Sequence, residues 1–193
     1  VVGLDLSTLD LTSLMHEEQW ARFDASSSIF PNISCNDKDL RGLKLEHGNW
    51  ERAELNKANL SGVSWAGIQL AGAQLKGADL SGADLSGADL SGADLSGANL
   101  TEVNLKNANL TKAILDQTTL DRADFTNATL EGALLNDAQG EAINMSQAKL
   151  VKAKLTRCNL PNLKLNKAAL TEAHFSLVDA AHADLRLIDA EYS

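Results

Sequence analysis

Aromatic residues are scarce in this chain, at 4% of its positions, so a hydrophobic core has to be built almost entirely from Leu and Ala. No run of 18 apolar residues occurs, which excludes a membrane-spanning helix. Two cysteines are too few for a disulfide framework, and the four histidines, His16, His47, His174 and His182, are scattered without metal-ligand spacing. No glycine-rich strand-to-helix junction is present to cradle a phosphate, and no base is placed to activate the many serine hydroxyls. These absences argue against an enzyme, and neither a cofactor nor a metal is expected. With so few aromatics to stack on bases, direct binding to nucleic acid is not expected, nor is binding to a membrane.

What is present is a period of five. The stretch Ala78-Asp79-Leu80-Ser81-Gly82 recurs almost unchanged as far as Asn99-Leu100. The same phase carries Leu40, Leu45, Trp50, Leu55, Leu60 and Trp65 before it, and Leu105, Phe125, Met145 and Leu165 after it. A helix spaces apolar residues three and four apart and a strand two apart, so five fits neither alone. Two residues before most of these positions stands something small or apolar, as at Ala53, Val103, Ile143 and Leu163. Each unit therefore points two side chains inward around one outward residue, as strand alternation demands, and gives its other two residues to a turn. A unit this short buries nothing by itself; stacking makes the core.

The pattern Ala-(Asp/Asn)-Leu-x-x, met by Ala78-Asp79-Leu80-Ser81-Gly82 and its neighbours, resembles that of the pentapeptide-repeat family. The resemblance runs over residues 23–193 and implies an all-β fold, a right-handed quadrilateral parallel β-helix with one pentapeptide per side and four per coil. Residues twenty apart then stack into core columns such as Leu60-Leu80-Leu100-Leu120 and Trp65-Leu85-Leu105-Phe125-Met145, with Leu90 and Leu95 in the other two. At about 4.8 Å per coil the repeats make a rod roughly 40 Å long, and each buried Leu contributes about 1.5–3 kcal/mol of apolar transfer. Gly62 and every fifth residue to Gly97 fill the second turn position, where a positive φ is cheap without a Cβ, so corners are expected there. Cys35 and Cys158 fall on inward positions and read as buried thiols. Pro31 and Pro161 take the first turn position, where a missing N–H does least harm.

Leu4-Asp5-Leu6 and Leu9-Asp10-Leu11 are also spaced by five, but one residue out of phase with everything after Phe23. Between the two phases, residues 12–22 combine a Thr or Ser cap, early acids, a late Arg22 and no Gly or Pro, which predicts a short α-helix. Residues 1–22 are thus expected to form an N-terminal cap over the first coils, with a partner-binding helix as the alternative. Phe23, Phe30, Trp50 and Trp65 should widen the early coils, Gly140 on an inward position predicts a kink or small bulge, and Ala180 and Ala190 thin the core. The last coil is expected to pair end to end with another copy, unless the natural chain continues. A first residue of Val, with no charged and then apolar leader, reads as a processed or excised fragment; the expected address is the bacterial cytoplasm, with export left open.

Charge is unevenly spread. Residues 61–145 carry 4 Lys and Arg against 11 Asp and Glu, whereas residues 146–193 carry 7 against 5, within a net charge of −9. Asp79, Asp84, Asp89 and Asp94 invite comparison with a nucleic-acid backbone, yet twenty-residue stacking rings them around one coil with neutral neighbours such as Asn59 and Asn99 above and below. Polar ladders are the expected result. Lys149, Lys152, Lys154, Arg157, Lys164 and Lys167 form a basic coil that could hold an acidic partner or serve as a solvated face. The favoured reading is a non-catalytic scaffold, a rigid rod presenting polar faces to an unidentified protein partner. The family resemblance implies two alternatives. Some acidic members imitate duplex DNA and bind DNA gyrase or topoisomerase IV, though those often centre on Phe rather than Leu; other Leu-centred repeats are domains of larger secreted bacterial effectors.

Overall fold

The computed structural model describes Asp24 and residues 26–188; the out-of-phase pentapeptides, the predicted helix over residues 12–22, Phe23 and Ala190 lie outside the described residues. Parallel bridges tie outward residues to those twenty positions on, as in Asn59 to Asp79, Asp79 to Asn99 and Asn99 to Thr119. Three further columns keep the same interval, through Asp84, Asp89 and Asp94. The chain therefore coils as a four-sided parallel β-helix, and each side can be named for the Asp it carries. Strand content is low. Only β1 (Lys154–Thr156) and β2 (His174–Ser176) extend beyond a single bridged residue among the described residues, and they pair in parallel with Lys154 opposite His174. Three residues between corners leave little room for more.

The unit that begins at Leu80 places all five of its N–H groups. Leu80 donates to the carbonyl of Asn99 and Gly82 to that of Thr101, each at 2.8 Å in the next coil, and Asp84 donates back to Val63 at 2.8 Å. Ala83 closes the corner on the Leu80 carbonyl at 3.0 Å. The fifth donor, Ser81 N–H, reaches the carboxylate two residues earlier, Asp79 Oδ1, at 3.0 Å. An Asp or Asn in the middle of a face is thus a corner cap as well as a surface group. At some positions where that residue is something else, the corner of the preceding coil substitutes: Asn136 N–H donates to Asp116 Oδ1, and Glu141 N–H to Asp121 Oδ1, each at 2.8 Å. Pro161 forgoes only this fifth donor, and its neighbours Leu160 and Asn162 keep their rungs at 2.7 Å.

The corners are less particular than the sequence suggests. Every fifth residue from Ser27 to Leu187 has positive φ; Gly62 through Gly97 take 63° to 68°, but 23 residues with side chains, among them Glu102, Lys112 and Leu177, take 55° to 61°. Glycine as the mark of a corner is therefore too narrow an expectation. Rungs on both sides hold the backbone there whatever the residue, against a cost of about 1 kcal/mol for an ordinary L-residue.

Inside, Leu80, Leu85, Leu90, Leu95, Leu100, Leu105, Phe125 and Met145 are all sealed from solvent, each at most 1% exposed. Phe30 meets Trp50 edge-on at a centroid distance of 5.7 Å, and Trp50 meets Trp65 at a tilt at 5.8 Å. The large rings leave the ladder unstretched, since Trp50 and Trp65 donate at 2.7 and 2.8 Å. Small neighbours make the room: a Cβ at Gly48 would stand 3.1 Å from the Leu45 carbonyl oxygen and 3.6 Å from the Trp50 ring. Cys35 and Cys158 are buried thiols, and burial pushes the Cys158 thiol up. Toward the last described coil the shaft opens, with inward Phe175 and Leu185 at 37% and 50% exposure.

Candidate interaction surfaces

Gly140 departs from the sequence expectation. Gln139 bridges both Thr119 and Asn159, so the twenty-residue step is kept and no bulge exists. Without a side chain the backbone there takes a φ of 156°, and a Cβ on Gly140 would point at the coil beneath, 2.6 Å from the carbonyl carbon of Leu120 and 2.8 Å from the nitrogen of Asp121. The wall is dented from outside into a shallow concavity of about 430 Å³, lined by Thr119, Gln139, Glu141, Asn159 and Pro161 among others. Sequence reasoning found the glycine but not the dent, because a missing side chain does not say which way the wall moves.

The four carboxylates of the regular block sit one to a face, as expected. Asn99 Nδ2 donates to Asp79 at 3.1 Å, Asn104 to Asp84 at 2.9 Å and Asn109 to Asp89 at 3.0 Å, so three of them share a ladder with an amide from the next coil. Asp94 has Ile114 there instead. It takes Lys76 Nζ at 3.1 Å and Ser96 Oγ at 2.6 Å; burial opposes its charge, but these bonds outweigh burial and hold the carboxyl below its ordinary pKa.

Among the described residues, no group of His, Cys, Asp and Glu converges in a metal-binding arrangement, and no helix is long and apolar enough to cross a membrane. His47 and His182 stand at corners and His174 on the Asp94 face.

A family model of pentapeptide repeats matches residues 35–64, 68–107, 104–139, 141–176 and 153–189, in eight copies. The chain belongs to the pentapeptide repeat family. Two solved structures of pentapeptide-repeat form resemble it along most of its length. HetL, a pentapeptide repeat protein involved in heterocyst differentiation regulation from the cyanobacterium Nostoc sp. strain PCC 7120, is 26% identical, with 89% of this chain and 92% of that one covered and a TM-score of 0.51. Trypsin-treated QnrB1, a plasmid-mediated fluoroquinolone resistance protein, is 17% identical over 87% of this chain and 90% of its own, with a TM-score of 0.71, a likeness of fold alone. Both coil right-handedly, the hand expected for this chain. No curated protein matches the sequence.

In the pentapeptide repeat frame, the basic residues form a belt. Lys164 lies on the Asp84 face, Lys149 on the Asp89 face and Lys154 on the Asp94 face. Lys167 and Lys152 occupy the corners between these faces, and Arg157 the corner beyond. The Asp79 face has no cation of the belt. Arg157 is paired with Asp137 at 2.6 Å and Lys152 with Glu172 at 3.8 Å; among the described residues Lys149, Lys154, Lys164 and Lys167 have no ion-pair partner. These are exposed pairs in high dielectric, so the belt keeps most of its field for solvent or a partner.

Proposed function

We propose that this pentapeptide repeat chain is a non-catalytic scaffold that offers the basic belt to an acidic surface on a partner protein. The observation that carries the reading is four unpaired lysines, three on adjoining faces and Lys167 at a corner between two of them, on a rod whose core is sealed and whose backbone donors are largely used up. HetL, a pentapeptide repeat protein involved in heterocyst differentiation regulation, fits a regulatory scaffold. The exposed Phe175 and Leu185 suit continued stacking by more chain or by a second copy at this end. Cross-linking of the intact chain in host extract, followed by mass spectrometry, tests the belt. A partner cross-linked at or beside Lys149, Lys164 and Lys167, and lost in the Lys149→Glu/Lys164→Glu/Lys167→Glu variant with unchanged melting, is the expected result; a partner retained by that variant overturns it.

Membership of the pentapeptide repeat family also raises the reading of a DNA-imitating topoisomerase binder. Imitation needs carboxylates repeated along one face, whereas Asp79, Asp84, Asp89 and Asp94 are separated onto four faces and interleaved with amides. A supercoiling assay with DNA gyrase is expected to show no inhibition by micromolar protein.

A further inference from the structure

The Asp94 face differs from the other three. Its outward column reads Glu54, Gln74, Asp94, Ile114, Leu134, Lys154 and His174, in unbroken twenty-residue register. Ile114 and Leu134 are adjacent, half-buried aliphatic residues in mid-rod; on the other faces the only outward apolar residues among those described are Ile29 and Ala169, near the two extremes. Neither the core nor the corner requires them. An Asn at Leu134 could cap its own corner, as Asn99 and Asn109 do, whereas here Asp116 of the preceding coil has to take the Asn136 N–H.

The column is also complementary to its own reverse. From the midpoint between Ile114 and Leu134, one step in either direction meets an aliphatic side chain, and the next meets Asp94 on one side and Lys154 on the other. A second copy laid face to face and antiparallel, about a two-fold axis through that midpoint, sets Ile114 against Leu134 and brings Lys154 to Asp94, each contact occurring twice. Lys154 would share that Asp94 with Lys76 of the same chain as the Asp94, held at 3.1 Å. On the corner toward the Asp89 face, the same operation brings Lys112, whose stem lies over Gly132, to Glu131 of the other copy. Lys112, Glu131 and Lys154 have no ion pair within the chain among the described residues. On the opposite corner Asp116 would approach Asp137, but Asp116 already accepts two hydrogen bonds from Asn136, and Asp137 is neutralised by Arg157.

We propose that two copies of this chain pair side to side and antiparallel through the Asp94 face, centred on Ile114 and Leu134. The inference goes beyond the scaffold reading, and its failure leaves the Lys149, Lys164 and Lys167 test untouched. A face three residues wide and six coils long measures roughly 10 Å by 25 Å, well short of the ~800 Å² per partner of a standard interface. The dimer is therefore weak, and dissociates on dilution.

Sedimentation equilibrium across a concentration series tests it, with melting temperatures confirming that each variant is folded. The wild-type chain is expected to move reversibly between monomer and dimer, and Ile114→Lys or Leu134→Lys to weaken the dimer at least about tenfold by burying an unpaired charge. Asp94→Lys and Lys154→Asp should each weaken it, since like charges then meet twice, while the double variant Asp94→Lys/Lys154→Asp should regain affinity over either single one. A wild-type chain that stays monomeric at about 500 µM, against the affinity scale of weak interfaces, overturns the proposal. So does a dimer indifferent to Ile114→Lys, which would place the contact at the rod's end, or a double variant no better than the singles.

Discussion

The coil over residues 76–95 and the coil over residues 116–135 share a backbone and little else. In the first, glycine holds all four positive-φ corners, whereas in the second the same corners fall to Gln117, Arg122, Asn127 and Gly132. Each middle residue of the first is an Asp whose Oδ1 caps its own corner at 3.0 to 3.1 Å. In the second only Asp124 does so, at 2.9 Å. The rungs do not register the change, for Leu90 and Leu130 both donate at 2.7 Å. Repetition is thus one way among several to satisfy this backbone, and a residue that breaks the pattern without a structural need marks a place to look for function.

If the two coils are equally well packed, cutting the same core column in each should cost the same. Leu90→Ala and Leu130→Ala are both expected to destabilise by about 3 kcal/mol in denaturant melts, because both side chains are fully buried in one column. A difference much above about 1 kcal/mol would show that the irregular coil is looser than its rungs indicate. Next in size is a contrast of glycines. Gly82 has nothing within 4 Å of a built Cβ, so Gly82→Ala meets no clash and bears the strain of its φ of 64° less the unfolded-chain entropy it removes, about 0.5 kcal/mol net. Gly140→Ala drives a methyl into the backbone of Leu120 and Asp121, and should cost about 2–4 kcal/mol. Equal costs at the two sites would mean that the dented wall can simply move out.

The order of those two glycines reverses what the sequence implies, where Gly82 belongs to a rigid pattern and Gly140 looks like a lapse. The period of five was enough to place the core columns, the four-residue ring of Asp and the belt of Lys, because each depends only on counting in twenties. It could not show why Asp or Asn recurs at mid-face. That reason is the Ser81 N–H and its equivalents, a donor visible only when every rung has been assigned. Nor could it show that Gly at the corner is dispensable, since tertiary rungs override the local preference of Lys112 or Glu102. Ile114 and Leu134 were legible as outward residues, and their interval of twenty as adjacency on one face, but nothing in the spacing separates a half-buried aliphatic pair from ordinary drift.

The corner cap offers a finer test. Asp84→Ala removes both the acceptor for Ser86 N–H at 3.0 Å and the bond from Asn104 at 2.9 Å, and should cost about 1–2 kcal/mol. Asp84→Asn keeps the acceptor and should stay within about 0.5 kcal/mol of wild type. If Ala were tolerated as well as Asn, the cap would be decorative. Smaller still is the gain from extending the regular pattern: Gln117→Gly relieves a φ of 60° and should stabilise by about 0.5 kcal/mol, the strain removed slightly exceeding the entropy that Gly adds to the unfolded chain.

The least effect separates the two coils by charge rather than shape. Asp94 in the first coil and Asp124 in the second are held below their ordinary pKa: burial raises them, but hydrogen bonds from Ser96 or Thr126 and the ammonium of Lys76 or Lys106 lower them further. A carboxyl depressed in the folded state contributes stability above its unfolded value of about 3.9, and loses that contribution as pH falls below it. Thermal melts should therefore be insensitive to these groups from pH 5 to pH 7, by that ordinary value of about 3.9, and decline below about pH 4. In Asp94→Asn the acid decline is expected to be shallower, and in Asp94→Asn/Asp124→Asn shallower again, because an amide keeps the Ser96 or Thr126 cap but has no proton to gain. An unchanged acid limb in the double variant would show that the caps and lysines at Asp94 and Asp124 add nothing to stability.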